Sequence, residues 1–186
     1  MTSIRYTLAP LAMALALTLP SHALAQSAPM RYTLQADPLI PNAASQDQRD
    51  EVMKLVSAHL HLWQAGNLSA YSYEQLVTED AVFEYPYAAA ESARRIEGRA
   101  AVAEALRKMP LKASDWKFDD FKLFETPHPD IFFVQYTATA YVPASKQSYE
   151  QRYLARVTVR DGKIASYYEL WDRSANAAIL SNIAHN

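Results

Sequence analysis

The sequence predicts an α+β fold: a curved, mixed or antiparallel sheet, cone-shaped, wrapped around three N-terminal helices. Three observations carry this expectation. Apolar residues recur at helical spacing through the first half of the chain; four runs of strand character follow one another in the second half; and the last two of those runs are joined by Asp161-Gly162, the strongest short-range hairpin signal.

Taken in order, the 186-residue chain begins with what reads as an export signal. Arg5 supplies a positive start, residues 9–19 form an apolar stretch too short to span a bilayer, and Ala23-Leu24-Ala25 has the small-x-small pattern that signal peptidases cut. Residues 1–25 are therefore expected to be removed, giving a mature chain that starts at Gln26 and is periplasmic or secreted. Residues 26–45, interrupted by Pro29, Pro38 and Pro41, read as a flexible lead-in. From Asp47 the pattern turns helical: Val52, Leu55, Val56, His59, Leu60 and Trp63 share one face, and Gly66 ends the run. Ser72-Tyr73-Glu74-Gln75 reads as a capping box opening a short second helix. A short strand over 81–86 ends in aromatic residues and is limited by Pro86, and a polar connection over 88–97 leads to Gly98. The third helix, Arg99 to Lys108, is expected to bury Val102, Leu106 and Met109 before Pro110 stops it. Strands over 116–125 and 131–142 precede the hairpin. The folded domain is expected over 46–180, with residues 181–186 as a tail.

Composition narrows the function. Loss of residues 1–25 removes one base and no acid, leaving 17 bases against 20 acids, a net charge of −3. No basic stripe remains for nucleic acid or acidic lipid, so neither nucleic-acid binding nor stable membrane insertion after cleavage is expected. There is no cysteine, hence no disulfide, thiolate nucleophile or thiolate metal site. His59 and His61, two apart on a helix, do not face one another and make no metal pair. With three glycines, no phosphate-binding loop is expected either, and the reading requires no metal and no cofactor.

In the hairpin's first strand Tyr149, Gln151, Tyr153, Ala155, Val157 and Val159 form the apolar face. The second strand is less decided, with Tyr167, Glu169 and Trp171 on one face and Ile164, Tyr168 and Leu170 on the other. Glu169 is either a carboxylate turned inward among aromatic rings or one paired outside with Arg152, Arg156 or Arg173.

Several pieces together resemble a known family. They are Ile96-Glu97-Gly98-Arg99 opening a helix, Asp115-Trp116 followed by Lys122-Leu123-Phe124-Glu125-Thr126, then Tyr149-Glu150-Gln151, and Asp161-Gly162-Lys163-Ile164 with Glu169 behind. In this order they resemble the SnoaL-like proteins of the nuclear transport factor 2-like superfamily, and within it the phenazine-biosynthesis PhzA/PhzB proteins. The resemblance implies a small-molecule pocket, an acid/base role for Glu169 and a pocket position for Tyr149. The family's pocket histidine, serine and arginine are replaced by Ala105, Met109 and Tyr73, so condensation of two amino-ketones is not expected.

The candidate catalytic residues are thus Glu169, Tyr149 and His59, with Tyr85, Tyr87, Trp63, Tyr167 and Trp171 as candidate ligand contacts. A histidine on an apolar helix face reads first as a hydrogen-bonded core residue, and only second as a proton donor. The expected function is a cofactor-independent isomerase, cyclase or dehydratase acting on a small cyclic or carbonyl compound. The alternatives are a non-catalytic binder of small apolar ligands, or a dimerisation module. For a homodimer, Phe132, Val134, Tyr136 and the even-numbered residues around them are expected to face outward.

Overall fold

A computed structural model describes residues 31–35, 44–64, 70–88, 94–108, 113–143, 145–172 and 174. Its elements are β1 (Tyr32–Gln35), α1 (Gln46–Gln64), α2 (Ala70–Glu74), β2 (Val77–Glu84), β3 (Arg95–Glu97), α3 (Arg99–Lys108), β4 (Ser114–Glu125), β5 (Ile131–Val142), β6 (Gln147–Arg160) and β7 (Lys163–Trp171). All seven strands join one unclosed, curved sheet in the order β1-β4-β5-β6-β7-β2-β3. The β4 to β7 run is an antiparallel meander, while β2 lies parallel to β7 and β1 parallel to β4. The helices pack on the concave side, an α+β arrangement.

Helix α1 starts at a reciprocal cap. The Ser45 hydroxyl accepts from Gln48 N (3.3 Å), and Gln48 Oε1 accepts from Ser45 N (2.8 Å). Its inward face buries Val52, Leu55, Val56, His59 and Leu60, as the periodicity predicts. An ion pair between Arg49 and Glu125 (2.9 Å) ties its first turns to β4. The expected cap at Ser72 is not one: α2 begins at Ala70, so Ser72 stands inside the helix. Helix α3 follows Gly98, whose φ of 88° suits a residue without Cβ; its N–H bonds Ala81 O (2.8 Å) and its C=O accepts from Val102 N (3.0 Å). Met109 lies outside the described residues.

Two strands fall where none was expected. The lead-in contains β1, which pairs over its whole length with Phe121–Phe124 of β4, and the polar connection contains β3, which covers the free edge of β2. Both are edge strands whose pairing is decided by a distant neighbour rather than by their own composition.

Bulges decide the faces. In β4, extra residues near Asp115 (φ 55°) and Asp120 (φ 51°) shift the register against β5, so that Trp116, Phe118, Phe121 and Leu123 all turn inward although their spacing breaks strict alternation. In β7, Ile164 pairs with Val159 but Ser166 pairs with Thr158, leaving Ala165 as the extra residue. Ile164 therefore shares the buried face with Tyr167, against the expectation that put them on opposite faces.

A second correction concerns β5. Phe132, Val134 and Tyr136 are buried under the helices, not outward; the outer side is carried by Ile131, Phe133, Gln135, Thr137 and Thr139. The physical reason is register: Tyr136 pairs with Tyr153, Val134 with Ala155 and Phe132 with Val157, and the β6 partners are the inward set.

Candidate functional site

The carboxyl of Glu169 points into the concave side. Across the ladder its partner is Ala155, whose small side chain leaves room above it, and its same-face neighbours on β7 are Tyr167 and Trp171. The Tyr136 hydroxyl donates a short hydrogen bond to Oε1, and the Tyr167 hydroxyl donates to the same oxygen at 2.8 Å. The two hydroxyls are 3.3 Å apart. Oε2 takes no hydrogen bond from any described residue, and Glu169 keeps partial exposure. The outer-face pairing weighed for Glu169 does not occur with Arg156, whose guanidinium lies 5.1 Å from the centre of the Tyr168 ring on the opposite side.

Aromatic rings enclose this carboxyl. Tyr136 stacks on Tyr153 (centroids 5.1 Å apart) and on Phe121 (5.7 Å), with Phe118 edge-on at 6.0 Å. Trp171 stands between Tyr85 (6.1 Å) and Tyr153 (6.3 Å), tilted against each. Tyr149 packs edge-on against Trp116 (5.5 Å), and its hydroxyl lies 2.7 Å from that of Tyr153.

Burial raises the Glu169 carboxyl above the usual carboxylate range, and the two tyrosine hydrogen bonds to the ionised form pull the other way. Tyr85, Tyr136 and Tyr167 are pushed well above the ordinary phenol value, by desolvation first and by the Glu169 charge second. Tyr149 and Tyr153 are raised as well, burial again leading. The tyrosines are therefore fixed donors, and Glu169, raised by burial above the ordinary carboxylate range, is the group of this cluster able to exchange a proton. Of the Tyr149–Tyr153 pair, one hydroxyl donates to the other, which leaves one O–H for a bound molecule.

The sequence-predicted residues divide. Glu169, Tyr149, Tyr85, Tyr167 and Trp171 are brought together. His59 sits behind them, 5% exposed, with Nδ1 3.1 Å from the Tyr73 hydroxyl and its ring against Tyr73, Phe83 and Tyr167. Tyr87 is 53% exposed in the turn after β2 and stands apart from the ring cluster. Trp63 is carried by α1, but its side chain lies outside the described residues. Sequence reasoning missed Tyr136 as a hydrogen-bond partner of the carboxyl and Tyr153 as one of the rings beside Tyr136 and Trp171. The signal was present: 132, 134, 136, 138, 140 and 142 are all apolar, whereas the odd positions between them include Gln135, Thr137 and Thr139. Among the described residues no three His, Asp or Glu side chains converge as a metal site would require.

A family model for the SnoaL-like domain matches residues 56–167. The chain belongs to the SnoaL-like family. Glu169 lies two residues past the matched span, on the strand that the match enters. This SnoaL-like protein is 29% identical to the uncharacterised protein YesE of Bacillus subtilis (strain 168) over 101 residues, 54% of the present chain and 69% of YesE. It is 27% identical over 117 residues to an uncharacterised PhzA/B-like protein of Pseudomonas aeruginosa, covering 63% of the present chain and 82% of that one. Among solved structures it is similar to a candidate polyketide cyclase of Bacillus cereus ATCC 10987, with a TM-score of 0.59, 17% identity, and 83% and 93% of the two chains covered; at that identity the likeness shows a shared fold.

Proposed function

We infer that this SnoaL-like protein is a cofactor-independent acid/base enzyme, an isomerase, cyclase or dehydratase, acting on a small cyclic or carbonyl-bearing compound. One observation carries the reading: a half-buried carboxyl with one oxygen fixed by two tyrosine hydroxyls and the other free of donors among the described residues, inside a wall of rings. In the isomerase form, Oε2 takes a proton from the carbon next to a carbonyl. The C–H electron pair becomes the C=C of an enolate, the negative charge moves to oxygen, and the free O–H of the Tyr149–Tyr153 pair donates to it. The protonated carboxyl then returns the proton at another carbon, and the balance closes without any co-reactant.

Positioned proton transfer contributes about 10²–10⁴-fold. Incubation of cyclic ketones in D₂O, followed by mass spectrometry, is expected to show deuterium entering the position beside the carbonyl at a rate that falls by at least ~100-fold in Glu169→Gln. Equal rates in wild type and variant would remove the reading. A second reading, an apolar-ligand binder without turnover, is favoured by the partly exposed rings of Trp116, Phe118, Tyr153 and Trp171; stoichiometric binding of a hydrophobic dye with no exchange on any ketone would support it.

Export to the periplasm or beyond is part of the proposal and is supported by Arg5, the apolar stretch over 9–19 and Ala23-Leu24-Ala25. Amino-terminal sequencing of the expressed protein is expected to start at Gln26; an intact Met1 in a cytoplasmic fraction would refute it. A homodimer through the outer sheet face is likewise proposed, with Ile131, Phe133, Leu154 and Leu170 supplying half-buried apolar surface.

A further inference from the structure

Among the described residues, the Glu169 site contains a negative charge and no positive one. Among the described residues Glu169 joins no ion pair, and what acts on its carboxyl is burial and two phenolic donors. His59, the ionisable ring behind Tyr167, is held neutral by burial. Arg156 is committed to the outer face over Tyr168, and Arg160 to Asp80. A carboxylate taken from water without a counter-ion is costly, and the cost is relieved when a cation enters beside it.

The walls have the same preference. Aromatic faces carry negative electrostatic potential and attract cations, most strongly alkylated ammonium groups, which shed water easily. Trp171 is tilted 57° from Tyr85 and 47° from Tyr153, so these three rings do not close into a parallel stack. Trp171 and Tyr153 are both partly exposed. No His, Asp or Glu among the described residues accompanies Glu169 to complete a metal set, and ring faces suit an organic cation better than a hydrated ion.

We propose that the ligand of this site carries a positively charged, alkyl-substituted nitrogen, seated against Trp171 and Tyr153 with the Glu169 carboxylate as its counter-ion. The inference rests on the acid/base reading for the place of the site and names its substrate class. The two are compatible: a cation next to a carbonyl keeps the carboxyl ionised, ready to accept a proton, and makes the intervening C–H more acidic.

Choline and 3,3-dimethylbutan-1-ol have the same shape and differ in whether the branched centre is N⁺ or carbon. Titration of each into wild-type protein at pH 7.5, read by tryptophan fluorescence and calorimetry, is expected to give at least ~10-fold tighter binding of choline. Glu169→Gln is expected to erase that preference, and Trp171→Leu to weaken choline binding by about 3- to 30-fold, the range cation–π contacts span. Equal binding of the two compounds by wild type, binding of neither, or a preference that survives in Glu169→Gln would overturn the proposal. The wild-type comparison needs no variant to fold. The acid/base reading fails separately: ketone exchange that depends on Glu169 without a choline preference leaves that reading standing and removes this one, and a choline preference without exchange does the reverse.

Discussion

His59 makes the acid stability of this protein calculable. Its ring is buried among Tyr73, Phe83 and Tyr167, and desolvation lowers its pKa from the ordinary 6.5 to about 4. A group whose folded-state pKa is depressed contributes stability that is fully present above 6.5 and is lost as pH falls toward the folded value, because the unfolded chain takes the proton first. The gap is about 2.5 units, and at ~1.36 kcal/mol per unit it is worth about 3 kcal/mol between pH 7.5 and pH 4. Against a typical stability of about 5–15 kcal/mol this is a large share. The perturbation is the double substitution His59→Phe with Tyr73→Phe, which removes both partners of the Nδ1–hydroxyl bond and leaves no orphaned polar group. Urea unfolding at pH 7.5, 6, 5 and 4 is expected to show wild type losing about 3 kcal/mol more than the double variant over the range. Parallel curves would mean that His59 is not held neutral by its surroundings, and the burial argument would be wrong.

Three further outcomes follow from the site and its turn. Glu169 has the opposite sign to His59: its folded pKa is raised, so its contribution is fully present below the ordinary 4.5 and is lost as pH rises through the folded value. Glu169→Gln is thus expected to raise Tm relative to wild type at pH 8 and to lose that advantage at pH 4, checked by scanning calorimetry; a difference that does not vary with pH would count against burial of the charge. Tyr136→Phe removes a donor to the ionised carboxyl, so the acidic limb of any pH–rate profile is expected to move to higher pH, while Tyr87→Phe, in the exposed turn, leaves it in place. Gly162→Ala is expected to destabilise by ~1 kcal/mol in urea melts, since φ is 69° and the added Cβ meets Glu51 Oε1 at 3.3 Å; an unchanged midpoint would show that the turn relaxes freely.

What the residues disclosed depends on range. The Asp161-Gly162 turn, with φ of 52° and 69°, is local chemistry, and the hairpin was legible from it. So was the apolar face of α1, down to His59. β1 was not, because Tyr32–Gln35 becomes a strand only against Phe121–Phe124, some ninety residues on. The inward turn of Glu169 was undecidable by alternation, since Ala165 breaks the period near the start of β7. Tyr136 was placed on the wrong side because β5 was read alone; paired with β6, whose inward residues were already identified, its face follows. The resemblance to PhzA/PhzB proteins pointed to Glu169 but not to the two hydroxyls on its oxygen, which come from strands whose relative register the sequence does not state.

Ala165 also sets apart two kinds of genetic change in β7. Point substitutions there alter one side chain at a time. Loss of Ala165 itself, the residue without a β6 partner, would leave every later side chain on its present surface, whereas deleting one residue between Ser166 and Glu169 with that bulge retained moves Glu169 to the place of Tyr168 beside Arg156. The strand, its turn and its composition would survive almost unaltered, yet the reactive acid would be on the outside of the protein. In this lineage, descent with indels can therefore erase or restore a working interior in a single step, and the number of residues in the last strand carries as much information as their kinds.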